Sequence, residues 1–100
     1  MTRLKILGKS WRLVRVPITR DKDDDAGLAF GKTNFQAGEI QISTVIRSPD
    51  QQLDTLIHEI VHVISTDLGL GLSESTVSAL AAGLCGVILD NPRLFQAKAK

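Results

Sequence analysis

Residues 48–74 read SPDQQLDTLIHEIVHVISTDLGLGLSE, and this stretch decides the fold. Ser48 is a good N-cap, Pro49 sits at the first helical position where its missing N–H costs nothing, and Gln51 completes a capping box. The apolar residues Leu53, Leu56, Ile57, Ile60, Val61, Ile64 and Leu68 fall within an arc of roughly 140° at 100° per residue. Gly69 or Gly71 supplies a left-handed C-terminal cap, so a helix is predicted over about 49–68. A second start follows at once. Ser73 is its N-cap, Leu72 staples against Val77, and Val77, Leu80, Ala81, Leu84 and Ile88 form a buried stripe until Asn91-Pro92 ends it. That predicts a second helix over about 73–90. On it, Ala79 and Gly83, and likewise Ala82 and Gly86, are four apart, a spacing that lets another helix approach closely.

Upstream the periodicity changes. Leu4 and Ile6 alternate with Arg3 and Lys5, Gly8-Lys9-Ser10 reads as a turn, and Trp11 to Ile18 is rich in β-branched residues until Pro17 weakens it. Leu28 to Asn34 and Glu39 to Ile46 read as a second strand pair across the turn Phe35-Gln36-Ala37-Gly38. In EIQIS, Ile40 and Ile42 should face the core while Glu39, Gln41 and Ser43 face out. The expected fold is therefore α+β: a single domain over 1–100, with about four antiparallel strands across 3–46 packed on two C-terminal helices.

The composition agrees with one small domain. The chain has 100 residues, 43% hydrophobic and 23% charged, with 12 basic against 11 acidic side chains. A net charge of +1 with scattered Lys and Arg provides no basic face for nucleic acid. No run approaches the roughly 20 apolar residues of a membrane span, and the N-terminal residues lack a signal-peptide core. The lone Cys85 has no disulfide or CxxC partner, which fits a cytoplasmic protein and reads as a small buried hydrophobe. The run Asp21-Lys22-Asp23-Asp24-Asp25 begins like a calcium loop, but Ala26 and Lys32 occupy the positions that need Gly and Glu, so it is read as a solvated loop. The tail from Arg93 to Lys100 is expected to fray.

The chemistry lies in the first helix. His58-Glu59-Ile60-Val61-His62 is an HExxH pattern, in which two imidazoles one turn apart hold a single zinc ion and the intervening Glu acts on its water. Both histidines of the chain are used here, a coincidence expected by chance roughly once in one or two thousand such sequences. Relative to Leu53 they lie at roughly 140° and 180°, away from the apolar centre. Zinc needs a third protein ligand if one position is to stay open for water. Glu74, 12 residues after His62, is the first choice; Asp67 is the runner-up, reached only if the helix breaks sharply after His62. If the helix runs straight to Leu68, residues 69–73 must turn back for Glu74 to reach His62, roughly 9 Å below the helix end. An acid at the start of a helix also simply complements its dipole. Asp54, one turn before His58, reads as solvated or as tuning a ligand.

A small N-terminal sheet, an HExxH helix and a following helix opening with Leu72-Ser73-Glu74 together resemble the gluzincin side of the zincin metallopeptidases. They are similar to small phage-type zincin-like proteins and to the peptidase domains of the ImmA/IrrE group, where a Glu on the next helix completes the zinc shell. The specific part covers about residues 55–74. HEIVHVISTD also resembles the metzincin pattern with Asp67 in place of the last His, but Ser65 replaces its glycine and no Met-turn is present. The resemblance implies hydrolysis of a peptide or protein substrate: His58, His62 and Glu74 hold Zn2+, and Glu59 takes a proton from the activated water and delivers it to the leaving amine. It also implies an edge strand that takes substrate in extended form, for which EIQIS is the candidate. The chain has no Tyr and no spare His for the developing oxyanion, leaving the metal, Asn34, an Arg, a backbone N–H or a water. The alternative is a zinc-stabilised regulatory or interaction module without catalysis, which would tend to close the fourth position, with Cys85 the only thiol available.

Overall fold

The computed structural model describes residues 2–17, 19–20 and 28–95. Asp21 to Asp25, Ile18 and residues 96–100 lie outside them, and with them the expected acidic loop and most of the tail. The described chain is an α+β fold with the sheet first and the helices second. β1 (Thr2–Ile6) and β2 (Lys9–Val16) form an antiparallel hairpin; β3 (Thr19–Arg20) and β4 (Leu28–Ala29) make a separate short antiparallel pair. β5 (Gly31–Asn34) and β6 (Glu39–Ser43) form the next hairpin, followed by α1 (Pro49–Leu68), α2 (Glu74–Asp90) and the single turn α3 (Pro92–Phe95).

The main sheet has the order β1-β2-β6-β5. It is mixed, not wholly antiparallel, because β6 pairs with β2 in parallel. That register sets Arg12 opposite Glu39, and the two side chains form a 2.9 Å ion pair. Two turns differ from expectation. The first hairpin closes one residue early, on Leu7-Gly8, both with positive φ (51° and 83°), the backbone that matches strand twist in a two-residue turn. The strand expected over Leu28 to Asn34 breaks at Phe30 into β4 and β5. The turn at Phe35 to Gly38 falls where expected; Asn34 Oδ1 accepts from Ala37 N at 3.0 Å, and Gly38 takes a φ of 65°.

Ile40 and Ile42 are buried as the alternation requires, and they join Ile6, Trp11, Ile46 and Val63 in the core between sheet and helix. Ser43, expected to face out, is fully buried. Its hydroxyl is satisfied by donating to the Pro17 carbonyl and accepting from Val45 N, which removes the cost of burying it. Trp11 stacks edge-on to Phe35 with ring centroids 5.8 Å apart.

Helix α1 matches its predicted bounds. Ser48 Oγ accepts from Gln51 N, and Gly69 closes the other end in the left-handed region. Its wide apolar arc divides between two layers. Leu56, Ile60, Val63 and Ile64 meet the sheet, while Leu53, Ile57 and Val61 meet Val77, Ala81 and Cys85 of α2. Leu68, expected in the stripe, is exposed. On α2 the buried stripe is narrower than predicted: Leu80 and Leu84 are exposed and Cys85 takes a core position, because among the described residues this helix packs mainly on α1, with only the single turn α3 besides. No described helix is long and apolar enough to cross a membrane.

Candidate metal centre

The two faces of α1 that bury apolar side chains leave a third sector, at 140–240° from Leu53, for His58, His62 and Glu59. With Glu74 of α2 against them, the two imidazoles retain 23% and 32% side-chain exposure. Their rings lie edge to face at 4.9 Å between centroids, as one helical turn dictates. Glu74 reaches both. Its Oε2 lies 2.7 Å from His58 Nε2, and its Oε1 accepts from His62 Nε2 at 2.9 Å. Ser78, one turn along α2, donates to the same carboxylate at 3.4 Å.

The path from His62 to Glu74 runs backward through a built turn. Gly69 and Gly71 both take left-handed backbone (φ 65° and 61°), and Leu70 N donates to Ser65 O at 2.8 Å. The buried hydroxyl of Ser65 then accepts from Leu72 N at 3.1 Å, which ties the returning chain to α1 one turn beyond His62. Ser73 caps α2 by accepting from Thr76 N, so Glu74 opens the helix at the height of the histidines. Ser65 gave no signal in the sequence beyond being a polar residue at about 120° from Leu53, between the apolar arc and His58.

Glu59 turns toward the sheet. It is 7% exposed, and its Oε1 accepts from Thr33 Oγ1 of β5 at 2.6 Å. Gly31 makes this approach possible: a Cβ there would lie 2.7 Å from Thr55 Cγ2 and 3.1 Å from Glu59 Oε2. A glycine inside a strand pattern is a sign of such close approach, whereas Thr33 reads only as an ordinary strand residue.

The other candidates are placed elsewhere. Asp67 is carried away from the histidines by the unbroken helix and lies 3.9 Å from Lys9 Nζ. Cys85 lies in the α1–α2 core about 16 Å along α2 from Glu74, too far to close the site. Its Sγ contacts Asp50 O at 3.7 Å, and burial, followed by the Asp54 and Asp50 carboxylates, pushes its thiol pKa up. Asp54 is exposed and acts on Cys85, with no contact recorded to the histidines. Of the oxyanion candidates, Asn34 holds the β5–β6 turn, Arg12 pairs with Glu39, and Arg15 donates to Gln52. EIQIS is interior as β6; the edge beside Glu59 is β5.

Two imidazole nitrogens and one carboxylate oxygen, all within 4.8 Å of one another, make a donor set of the kind that holds zinc. Bonds of about 2.0–2.2 Å fit such a group after small side-chain shifts, which the 67% exposed Glu74 side chain is free to make. Set against family models, curated proteins and solved structures, the chain matches none of them.

Proposed function

We propose that the protein is a zinc-dependent metallopeptidase of minimal gluzincin type, with His58, His62 and Glu74 as zinc ligands and Glu59 as general base. The observation that carries this reading is the meeting of Glu74 with both histidines across two helices, 16 and 12 residues away in sequence. Zinc, when bound, supplies a Lewis acid that polarises a carbonyl and makes water nucleophilic near neutral pH. Glu59 takes the proton of the attacking water and returns it to the leaving amine. Thr33 orients that carboxylate by occupying one of its oxygens. β5 pairs only with β6 in the described sheet, and its free backbone edge receives a peptide in extended form beside Glu59. The partial exposure of all three ligand side chains favours an open site over a closed structural one.

A second reading, a zinc-binding module that hydrolyses nothing, is favoured by one feature: the chain has no Tyr and no third His to donate to an oxyanion. Zinc titration followed by digestion of a diverse peptide mixture, read by mass spectrometry, separates the two. The peptidase reading expects about one zinc per chain and, in Glu59→Ala, retained zinc with cleavage reduced by about 10²–10⁴-fold. Equal cleavage by both proteins, or by neither, assigns the binding module. No zinc bound after titration overturns both.

A further inference from the structure

The side of α2 that turns away from α1 is apolar and uncovered among the described residues. Leu80 and Val87 are 45% and 47% exposed, and no charged side chain lies between Glu74 and Asp90. At 100° per residue, Thr76, Gly83 and Asp90 run along the centre line of this face, with Leu80 and Val87 on one flank and Ala79 and Gly86 on the other. Nothing lies within 4 Å of a Cβ built at Gly83 or Gly86. A helix that is apolar on every side belongs in an interior.

We infer that this face is the interface of a homodimer, in which α2 packs antiparallel to α2 of a second copy about a two-fold axis at Gly83. Such a two-fold brings like flanks together. The small flank lets the backbones approach, and on the large flank Leu80 of one copy meets Val87 of the other at nearly the same height. Charge selects the antiparallel direction. Asp90 opposes its own helix dipole at the C-terminal end, where the last turn has no basic residue and, among the described residues, no cation pairs with it. The antiparallel pair sets Asp90 beside Thr76 in the positive first turn of the other helix, whereas a parallel pair would set two Asp90 carboxylates together. The area is that of a weak dimer. Half the surface of a 17-residue helix is about 400 Å² per copy, so two copies bury at most about 800 Å², below the ~1,200 Å² of stable specific interfaces.

Sedimentation equilibrium of the full chain at about 100 µM should give twice the 10.9 kDa chain mass, dissociating on dilution. Gly83→Glu puts two like charges on the two-fold axis yet meets open space in the single chain; it should remain folded by circular dichroism and raise the dissociation constant on the order of 100-fold. If that variant does not fold, Leu80→Lys supplies the same test. For direction, an equimolar mixture of Thr76→Cys and Asp90→Cys should cross-link under mild oxidation, while Thr76→Cys alone should not. A monomer at 100 µM, a dimer indifferent to both charge variants, or cross-linking of Thr76→Cys to itself would each overturn the assignment.

Discussion

The two long helices distribute charge in inverse relation to their burial. α1 is wrapped on two sides, by the sheet and by α2, yet it carries Asp50, Asp54, His58, Glu59, His62 and Asp67. α2 is covered along one narrow stripe, yet between its end residues it carries no charge at all. Stability of a lone domain would call for the opposite allocation, since charged groups are the costliest to enclose and apolar groups gain least when left in water. Asp50, Asp54 and Asp67 of α1 stay exposed, while His58, Glu59 and His62, which are partly or fully covered, answer to the site they build. Each helix can be challenged separately.

The largest effect belongs to the sheet face of α1. Ile40 is fully buried against that helix, and Ile40→Ala should cost about 3–5 kcal/mol in urea unfolding. Leu80→Ala on the open face of α2, measured at concentrations low enough to keep the chain monomeric, should cost under about 1 kcal/mol. Comparable costs for the two would mean that α2 is covered within the single chain, and the contrast between the helices would fail.

Next comes the contact that sets Glu59. Gly31→Val introduces a Cβ at 2.7 Å from Thr55 Cγ2, so β5 must move off α1 at a cost of about 1–3 kcal/mol. Because the same shift separates Thr33 from Glu59, peptide cleavage should fall further than stability alone explains. Thr55→Ala in the same chain removes the clashing methyl and should restore most of the stability, as a double-mutant cycle would record. Additive costs would show that the strand and helix do not meet there.

How far these features are legible in the sequence follows the range of the interactions. The helix limits are local: Ser48, Pro49, Gly69 and Ser73 each act within one turn, and all four stand where the pattern puts them. The histidine pair is local for the same reason. The parallel pairing of β2 with β6 joins residues 27 apart, and alternation within a strand carries no information about which neighbour it takes. Ser43 alternates as a surface residue, and its burial is made possible by the Pro17 carbonyl, just after β2, together with Val45 N. Glu74 could be chosen from spacing, but its return path depends on Ser65 accepting from Leu72, a bond that forms only after the chain has reversed.

That bond gives a smaller test. Ser65→Ala leaves the Leu72 N–H without its acceptor in a partly buried turn, a loss of about 1 kcal/mol. If the turn is what holds Glu74 at the histidines, zinc affinity measured by chelator competition should fall by about tenfold as well. Loss of stability with unchanged affinity would show that Glu74 finds the histidines without help from Ser65.

The smallest effect tests the seam between the helices, where the charge of α1 reaches into the core of α2. Cys85 is enclosed by apolar side chains and faces the Asp54 and Asp50 carboxylates, so both burial and charge disfavour its thiolate in the folded chain. In the unfolded chain the thiol regains its ordinary pKa, about 8.5. Folding thus favours the protonated thiol, so the stability due to this group is complete below the ordinary value and is lost as pH rises above it toward the raised folded value. The chain has no Tyr, and the part of any decline in unfolding free energy above about pH 8.5 that belongs to this thiol is the part that Cys85→Ala removes. Urea midpoints from pH 7 to 9.5 should fall for the natural chain and stay nearly flat for Cys85→Ala. The native thiol should also react with an aromatic disulfide far more slowly than the urea-unfolded chain at the same pH, since the thiolate is the reacting species. Equal reactivity of folded and unfolded chains would mean that α2 does not seal against α1 at this level, and that the narrow stripe of α2 is less closed than the wide one of α1.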